Sequence, residues 1–425
     1  MSLPPDQPPR LVTAVPGPRS RALAARLAAV ESRDTTCLAP EPPIFWERAL
    51  GANVWDVDGN RYVDLSAAFG VAGVGHAHPR VVEAVTRQSG TLLHGMGDVH
   101  PPAVKVELLE ALARRFPGGG PARAVLGSSG SDAVEAALKT AALATGRAGV
   151  VAFEGAYHGL SLGALGVTAR ADFREPFRER VADATHWARY GDIDDVRRAA
   201  ANCPAPVGAV IVEPVQGRGG ERVPPRGFLG ALRALCDSED WLLIADEVYT
   251  GFGRTGARFA CEHEGVVPDL LCVAKGLASG MPLSACIGSE AVMDAWPASR
   301  GEALHTQTFL GHPPACAAAL ASLAVLDEEK LAERAAELGR LALERLRAGL
   351  AGCASVSEVR GLGLLLGVEC ATPEIARRAV SALLRRGAIA LPSGDDGRVI
   401  GLSPPLSIGR EVFEGALDAL CEVLR

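Results

Sequence analysis

The 425 residues are enough for two or three lobes with sizeable cores. A composition of 48% hydrophobic and 22% charged residues is that of a globular chain, not a disordered or membrane-embedded one. The net charge of −7 argues against a general nucleic-acid binder, which needs a basic face, and no window approaches the ~20 apolar residues that span a bilayer.

The proline-rich opening, MSLPPDQPPRLVTAVPGPRS, predicts a mobile arm over residues 1–20 and lacks the apolar core of a secretory signal. The alanine- and arginine-rich RALAARLAAVESR contains Glu31 and predicts a short helix ending near Ser32, not an organellar presequence. ANVWDVDGNRYVDLS alternates apolar and polar side chains around Asp58-Gly59, a hairpin signal, so residues 21–79 read as an N-terminal segment of helix and hairpin.

Over residues 80–310 short apolar runs (ARAVL, GVVAF, GAVIVE, WLLIAD and DLLCVA) alternate with amphipathic stretches. That alternation predicts an α/β fold: a large domain around a mostly parallel central sheet covered on both faces. Ligands of such sheets gather at the carboxyl ends of the strands. Over residues 311–425 an alanine-rich helix (PPACAAALASLAVL), a charged helix, strand-like VSEVRGLGLLLGVE and a closing helical stretch follow. These predict a smaller α+β domain, completed by the N-terminal segment. The ten cysteines are scattered without a CxxC pair, the usage of reduced thiols in a cytoplasm.

Of 43 basic side chains only four are lysine: Lys105, Lys139, Lys275 and Lys330. Lys105 and Lys330 lie in charged helical stretches, and Lys139 lies early in another helix. Lys275 alone ends an apolar run, DLLCVA, and opens a glycine-bearing bend, KGLASG. An amine placed there is desolvated, loses basicity and attacks carbonyls, the situation of a Schiff-base lysine.

Other strand ends supply a matching set. VLGSSGSDAVEAAL runs from a strand through Gly127–Ser131 into a helix, where small residues expose backbone N–H groups to an anion. A serine N-cap after a flexible turn is the plainer account of that segment alone. Tyr157 and His158 follow the strand GVVAF, and an aromatic face there either covers a flat ring or simply packs. Glu213 ends GAVIVE and Asp246 ends WLLIAD. A carboxylate at such a position holds a pyridine nitrogen protonated, which makes the ring an electron sink. Each feature is common by itself; the ordered combination is not.

Carrying VWDVDGNRYVD, GHAHP, SSGSDAVEAALK, AYHG, VEPVQG, IADEVYTGFGRTG, AKGLASGMPLSA, HTQTFLGHP, VRGLGLLLGVE and SPPLSI in this order, the chain resembles the class III (ω-amino) aminotransferases of the fold type I pyridoxal-phosphate enzymes. The resemblance runs from about Pro43 to the C-terminus. It implies that Lys275 forms the Schiff base with pyridoxal 5'-phosphate and later carries the substrate's proton, and that Asp246 pairs with the ring nitrogen. Gly130 and Ser131 would bind the phosphate, Tyr157 and Val248 would cover the two ring faces, and His158 and Glu213 would support the cofactor's surroundings. Thr308 would reach the phosphate held by a neighbouring subunit, which implies a homodimer with shared active sites. The implied reaction is ping-pong transfer of an amino group from an amine, ω-amino acid or amino acid to a 2-oxo acid.

Three positions that handle substrate carboxylates in many members depart from the family pattern. Leu160 and Gly401 stand where many members carry carboxylate-binding arginines, and Arg218 stands where a neutralising glutamate is common. Arg218 either supplies the missing positive charge from the opposite wall, as a guanidinium fork, or is a solvated loop residue in an enzyme for plain amines. Phe69 matches a position that lines the substrate pocket, although an aromatic there also suits a core. Tyr249 stands where glutamine often follows DEV.

Racemases, epimerases and aminomutases share this scaffold and form the nearest alternative. A nicotinamide enzyme, suggested by Gly361-Leu362-Gly363 and Gly367, needs a helix after the glycines, and the sequence predicts none there. His76, His78, His100, His158, His263 and His312 show no metal-ligand spacing with acids or thiols, so no metal site is expected.

Overall fold

The computed structural model describes residues 2–38 and 41–425; Met1 of the expected arm, and Ala39 and Pro40 of the segment after it, lie outside. The fold is built on three sheets. In chain order the strands are β1 (Trp46–Leu50), β2 (Asn53–Asp56), β3 (Arg61–Asp64), β4 (Ala122–Gly127), β5 (Gly149–Phe153), β6 (Thr185–Ala188), β7 (Val207–Val212) and β8 (Leu242–Asp246). β9 (Leu270–Val273), β10 (Ser284–Ser289), β11 (Val356–Leu362), β12 (Leu365–Cys370), β13 (Ala388–Ile389), β14 (Leu391–Ser393) and β15 (Val399–Leu402) follow.

The central sheet has the order β4-β10-β9-β8-β7-β5-β6. β5 to β9 pair in parallel, and β10 alone runs antiparallel to both of its neighbours. The five apolar runs read as strands are β4, β5, β7, β8 and β9. β7 is buried at every position, the mark of a strand covered on both faces. Two strands of this sheet were not expected. β6 (THWA) is short and mixed in polarity, and β10 (SACIGS) is built of small residues that carry no apolar run. Position between two apolar neighbours makes β10 a strand, and a Cβ on Gly288 would stand 2.7 Å from Leu270 of β9.

A second sheet, β1-β2-β3-β13, joins the two ends of the chain, because β13 pairs in parallel with β3. Residues 2–20 do not hang free as the expected mobile arm would. Arg10 and Arg61 exchange backbone hydrogen bonds of 2.9 and 2.8 Å. Asp6 accepts from the N–H groups of Ala52 (2.8 Å) and Gly409 (2.7 Å), and Asn60 accepts from Val12 (2.8 Å). Prolines supply no N–H, but Asp6, Arg10 and Val12 between them anchor the segment. The helix after it spans Pro18–Val30, and Asp58 of the hairpin turn accepts from the N–H groups of Arg19 and Ser20 at its start.

The third sheet, β11-β12-β15-β14, packs against the helices Leu331–Gly349 and Pro373–Leu384, and the helix Arg410–Leu424 packs on those two. The glycines at 361 and 363 lie in the β11–β12 hairpin, with no helix after them, so a dinucleotide site has no place here. The turn instead lies close to the facing helix: the Gly363 carbonyl oxygen would stand 2.0 Å from a Cβ on Gly339. Gly339→Ala gains about 1 kcal/mol of helix propensity but must displace that backbone, at about 1–3 kcal/mol. Net destabilisation is expected, read as a lower midpoint in denaturant unfolding.

Candidate active site

The carboxyl ends of β7, β8 and β9 open into one cavity of about 430 Å³. Parallel pairing sets this up: Asp246, the last residue of β8, lies opposite Cys272 of β9, so the chain leaving β9 passes beside that carboxylate before reaching Lys275. Gly130, Ser131, Tyr157, His158, Glu213, Arg218, Asp246, Val248 and Lys275 all line this cavity. Nine of the eleven site residues expected from sequence are thereby brought together. Thr308 and Phe69 are not among the lining residues. Phe69 is 56% exposed, in the segment Ala67–Gly70, where four successive residues have positive φ. Leu160 is exposed at the rim, its N–H donating to the Ser131 hydroxyl at 3.2 Å.

Lys275 has a φ of +43°, a left-handed backbone that turns its side chain out of the strand direction and into the cavity. Desolvation there brings its amine down to about 8, against the opposing pull of the Asp246 and Glu213 carboxylates. Asp246 is buried and its Oδ2 lies 2.6 Å from His158 Nδ1, while Oδ1 accepts from the Val248 N–H at 3.0 Å. Burial opposes charge on His158, but the Asp246 partner prevails and raises its pKa, so the ring nitrogen donates to the carboxylate. Glu213 accepts from the N–H groups of Tyr157 (2.9 Å) and Gly217 (3.0 Å), fixing two loops, and burial lifts its carboxyl to about 7.

The glycine–serine turn before the helix Gly130–Thr145 divides its donors cleanly. Asp132 accepts from the N–H groups of Ser128 and Ser129 at 2.8 and 2.9 Å, and Ser129 caps Asp132 in return. The N–H groups of Gly130 and Ser131 have no partner among the described residues. They are left at a helix N-terminus facing the cavity, as a phosphate requires. Gly130 is obligatory, since a Cβ there would stand 2.9 Å from Val248. Pyridoxal phosphate fits this set: free N–H donors for its phosphate, a buried carboxylate for its ring nitrogen, an amine for its aldehyde, and Tyr157 and Val248 as apolar walls.

Sequence reading missed Glu221. Its side chain is buried, one carboxylate oxygen has no partner among the described residues, and burial lifts it to about 8. The other oxygen lies 2.5 Å from where a Cβ on Gly401 would stand. Glu221 therefore occupies the room that a side chain at 401 needs, which explains the glycine there. The residue pair is far apart in sequence, and no local pattern announces it. The sequence marks Tyr249 only as a departure from the family pattern; in the structure it lines the cavity with its ring against Lys275.

The model of aminotransferase class-III matches residues 38–424. The chain belongs to the class-III aminotransferases. This aminotransferase is 41% identical to the 4-aminobutyrate aminotransferase of Mycobacterium tuberculosis (strain ATCC 25618 / H37Rv), over 98% of each chain. It is 44% identical to the acetylornithine aminotransferase of Methanopyrus kandleri, covering 90% of this chain and 95% of that one. It is also similar to a crystal structure of the ornithine aminotransferase from Toxoplasma gondii ME49, with a TM-score of 0.87, 32% identity, and coverage of 95% and 94%. The enzyme is thus a pyridoxal-phosphate-dependent transaminase of the fold type I architecture. The racemase and aminomutase alternatives find no support in these relatives.

Desolvation of Lys275 has a direct consequence. In cofactor-free protein, uptake of pyridoxal phosphate should speed up with pH as the amine loses its proton, then level off above about 8. Stopped-flow absorbance at a series of pH values measures this; a rate still climbing tenfold per unit above pH 9 would contradict it.

Proposed function

We propose that this aminotransferase moves the amino group of a carboxylate-bearing ω-amino donor to a 2-oxo acid, with Lys275 as the cofactor's covalent anchor and proton carrier. One observation carries the reading: Lys275, the Asp246–His158 pair, the free N–H groups of Gly130 and Ser131, and the Arg218 guanidinium share a single cavity. When bound, pyridoxal phosphate supplies an aldehyde for the donor's nitrogen and a ring that accepts the electron pair left at the donor's carbon.

Every other contribution belongs to the protein. Gly130 and Ser131 hold the phosphate by their N–H groups, and Tyr157 and Val248 bound the ring's two faces. Asp246, oriented by His158, keeps the ring nitrogen protonated. Glu213 holds the Tyr157 and Gly217 loops in place. Lys275, with an amine that loses its proton near neutral pH, accepts a proton at Nζ from the donor's carbon and returns one to the product.

Arg218 supports the choice of a carboxylated donor. Arg218 is exposed and lines the cavity, its guanidinium 5.2 Å over the Tyr157 ring and without a salt-bridge partner among the described residues. The relatives named for 4-aminobutyrate, acetylornithine and 5-aminovalerate all act on donors with a carboxylate. A 2-oxo acid acceptor also carries one. Arg218→Ala should raise KM for ω-amino acids about tenfold or more, a charged hydrogen bond being worth about 1.5–3 kcal/mol, and leave plain amines unaffected. Equal KM values for 4-aminobutyrate in wild type and variant would show that Arg218 does not hold the donor's carboxylate.

Assembly belongs to the same reading: a cytoplasmic homodimer with shared sites. Thr308 lies outside its own chain's cavity, but its neighbour Gln307 accepts from the Ser128 hydroxyl at 3.0 Å, next to the phosphate turn. Around it Leu93, Met96, Val99, Leu304 and Phe309 are all more than half exposed, and the two segments touch through His94 and Phe309. An apolar face of this kind beside a cavity suits a second copy. Buried free thiols such as Cys236, Cys272 and Cys286 suit a reducing compartment. Borohydride reduction of the loaded enzyme should leave the cofactor on a Lys275 peptide. Lys275→Ala should take up none covalently and lose at least about a thousandfold in turnover. Light scattering should give twice the chain mass.

A further inference from the structure

We propose that Tyr249 is the positioning residue of Lys275, its ring face seating the amine and its hydroxyl anchoring the ring to the C-terminal segment. The proposal deepens the reading above and rests on Lys275 being the anchor.

The amine nitrogen lies 4.0 Å from the centroid of the Tyr249 ring, over its face. A ring face carries negative charge density and attracts an ammonium at this distance. The ring is fixed on three sides. A Cβ on Gly70 would stand 2.4 Å from Cε2 on one edge, and a Cβ on Gly217 would stand 2.1 Å from Cδ1 on the other. Two bare backbone segments thus close on opposite edges, and any side chain at either glycine would push the ring aside. At its tip the hydroxyl lies 2.8 Å from the Ser403 hydroxyl, which donates to the Ser66 carbonyl at 3.1 Å. Ser403 is buried, and it precedes the Pro404 carbonyl that accepts from Arg254.

Glutamine, frequent in this position, offers no aromatic face. Tyrosine here directs its one polar atom away from the amine, so its contribution to the lysine is the ring alone. Burial, aided by the nearby Glu221, pushes the phenol up to about 12, so the hydroxyl keeps its proton and its bond to Ser403 at neutral pH. Whenever Lys275 is released from the cofactor, its four-carbon chain is free to rotate. A fixed ring beneath the nitrogen holds it within reach of the reacting carbon. Asp246 and Glu213 also favour the charged amine, while Arg218 and Arg254 oppose it, so the ring acts among four charged neighbours.

With only four lysines in the chain, lysine-selective isotope labelling allows Nζ of Lys275 to be titrated directly by NMR in the full-length, cofactor-free protein. Lys275→Arg assigns the signal. Tyr249→Phe keeps the face, and its titration should stay with that of wild type. Tyr249→Leu removes the face, and the amine's proton affinity should fall about threefold to tenfold. In the loaded enzyme the same variant should lose kcat with the acceptor KM kept, which a general loss of packing would not produce. If leucine prevents folding, 4-fluorophenylalanine at 249 gives the same comparison with Tyr249→Phe. One fluorine weakens the face at nearly constant shape, and about a twofold fall is expected. A titration of Lys275 in Tyr249→Leu identical to wild type, or no fluorine effect, overturns the proposal. Borohydride trapping of the cofactor elsewhere than on Lys275 overturns instead the reading on which it rests.

Discussion

Everything at the site follows from placing a lysine amine and two carboxylates in one desolvated space. Taken alone, each group would resist the charged form there; together they divide the charge. Desolvation lowers the Lys275 amine and raises Glu213, whereas Asp246 shares its charge with His158 across 2.6 Å. The result is a buried ion pair beside an amine that burial brings down to about 8. The parallel register of β8 and β9 makes this possible, because it brings Asp246 and the segment leading to Lys275 to the same edge of the sheet. A strand slipped by one residue would turn the carboxylate into the opposite layer.

Around that centre, glycines set how near the walls come. Gly130 lets the phosphate turn meet Val248, and Gly70 and Gly217 close on Tyr249. Gly401 leaves its space to the Glu221 carboxyl. This last exchange bears on specificity. An arginine at 401 and a buried glutamate at 221 cannot occupy the same volume, and Arg218, three residues before Glu221, is the charge proposed above to meet a substrate carboxylate instead.

Much of this was legible in the residues. The five apolar runs became strands because a strand buried on both faces is apolar throughout, and that property is local. The strand ends carrying Asp246, Glu213 and Lys275 were readable for the same reason. β10 was not, because its small residues form a strand only between β9 and β4. The tethering of the first residues was equally hidden, since Asp6 finds its partners at Ala52 and Gly409. Thr308 and Phe69, matched by motif, stand outside the cavity of their own chain.

By itself the sequence determined the chemistry: a lone lysine after an apolar strand, acids at strand ends and a phosphate turn, all in one order. These are properties of single segments, set by hydrophobicity and backbone propensity. Only the tertiary structure decided what those groups feel. The Tyr249 ring under the Lys275 nitrogen, His158 against Asp246 and Glu221 beneath Gly401 all join residues 26 to 180 positions apart. Desolvation and close approach are properties of assembled volume, and no local stretch of chain carries them.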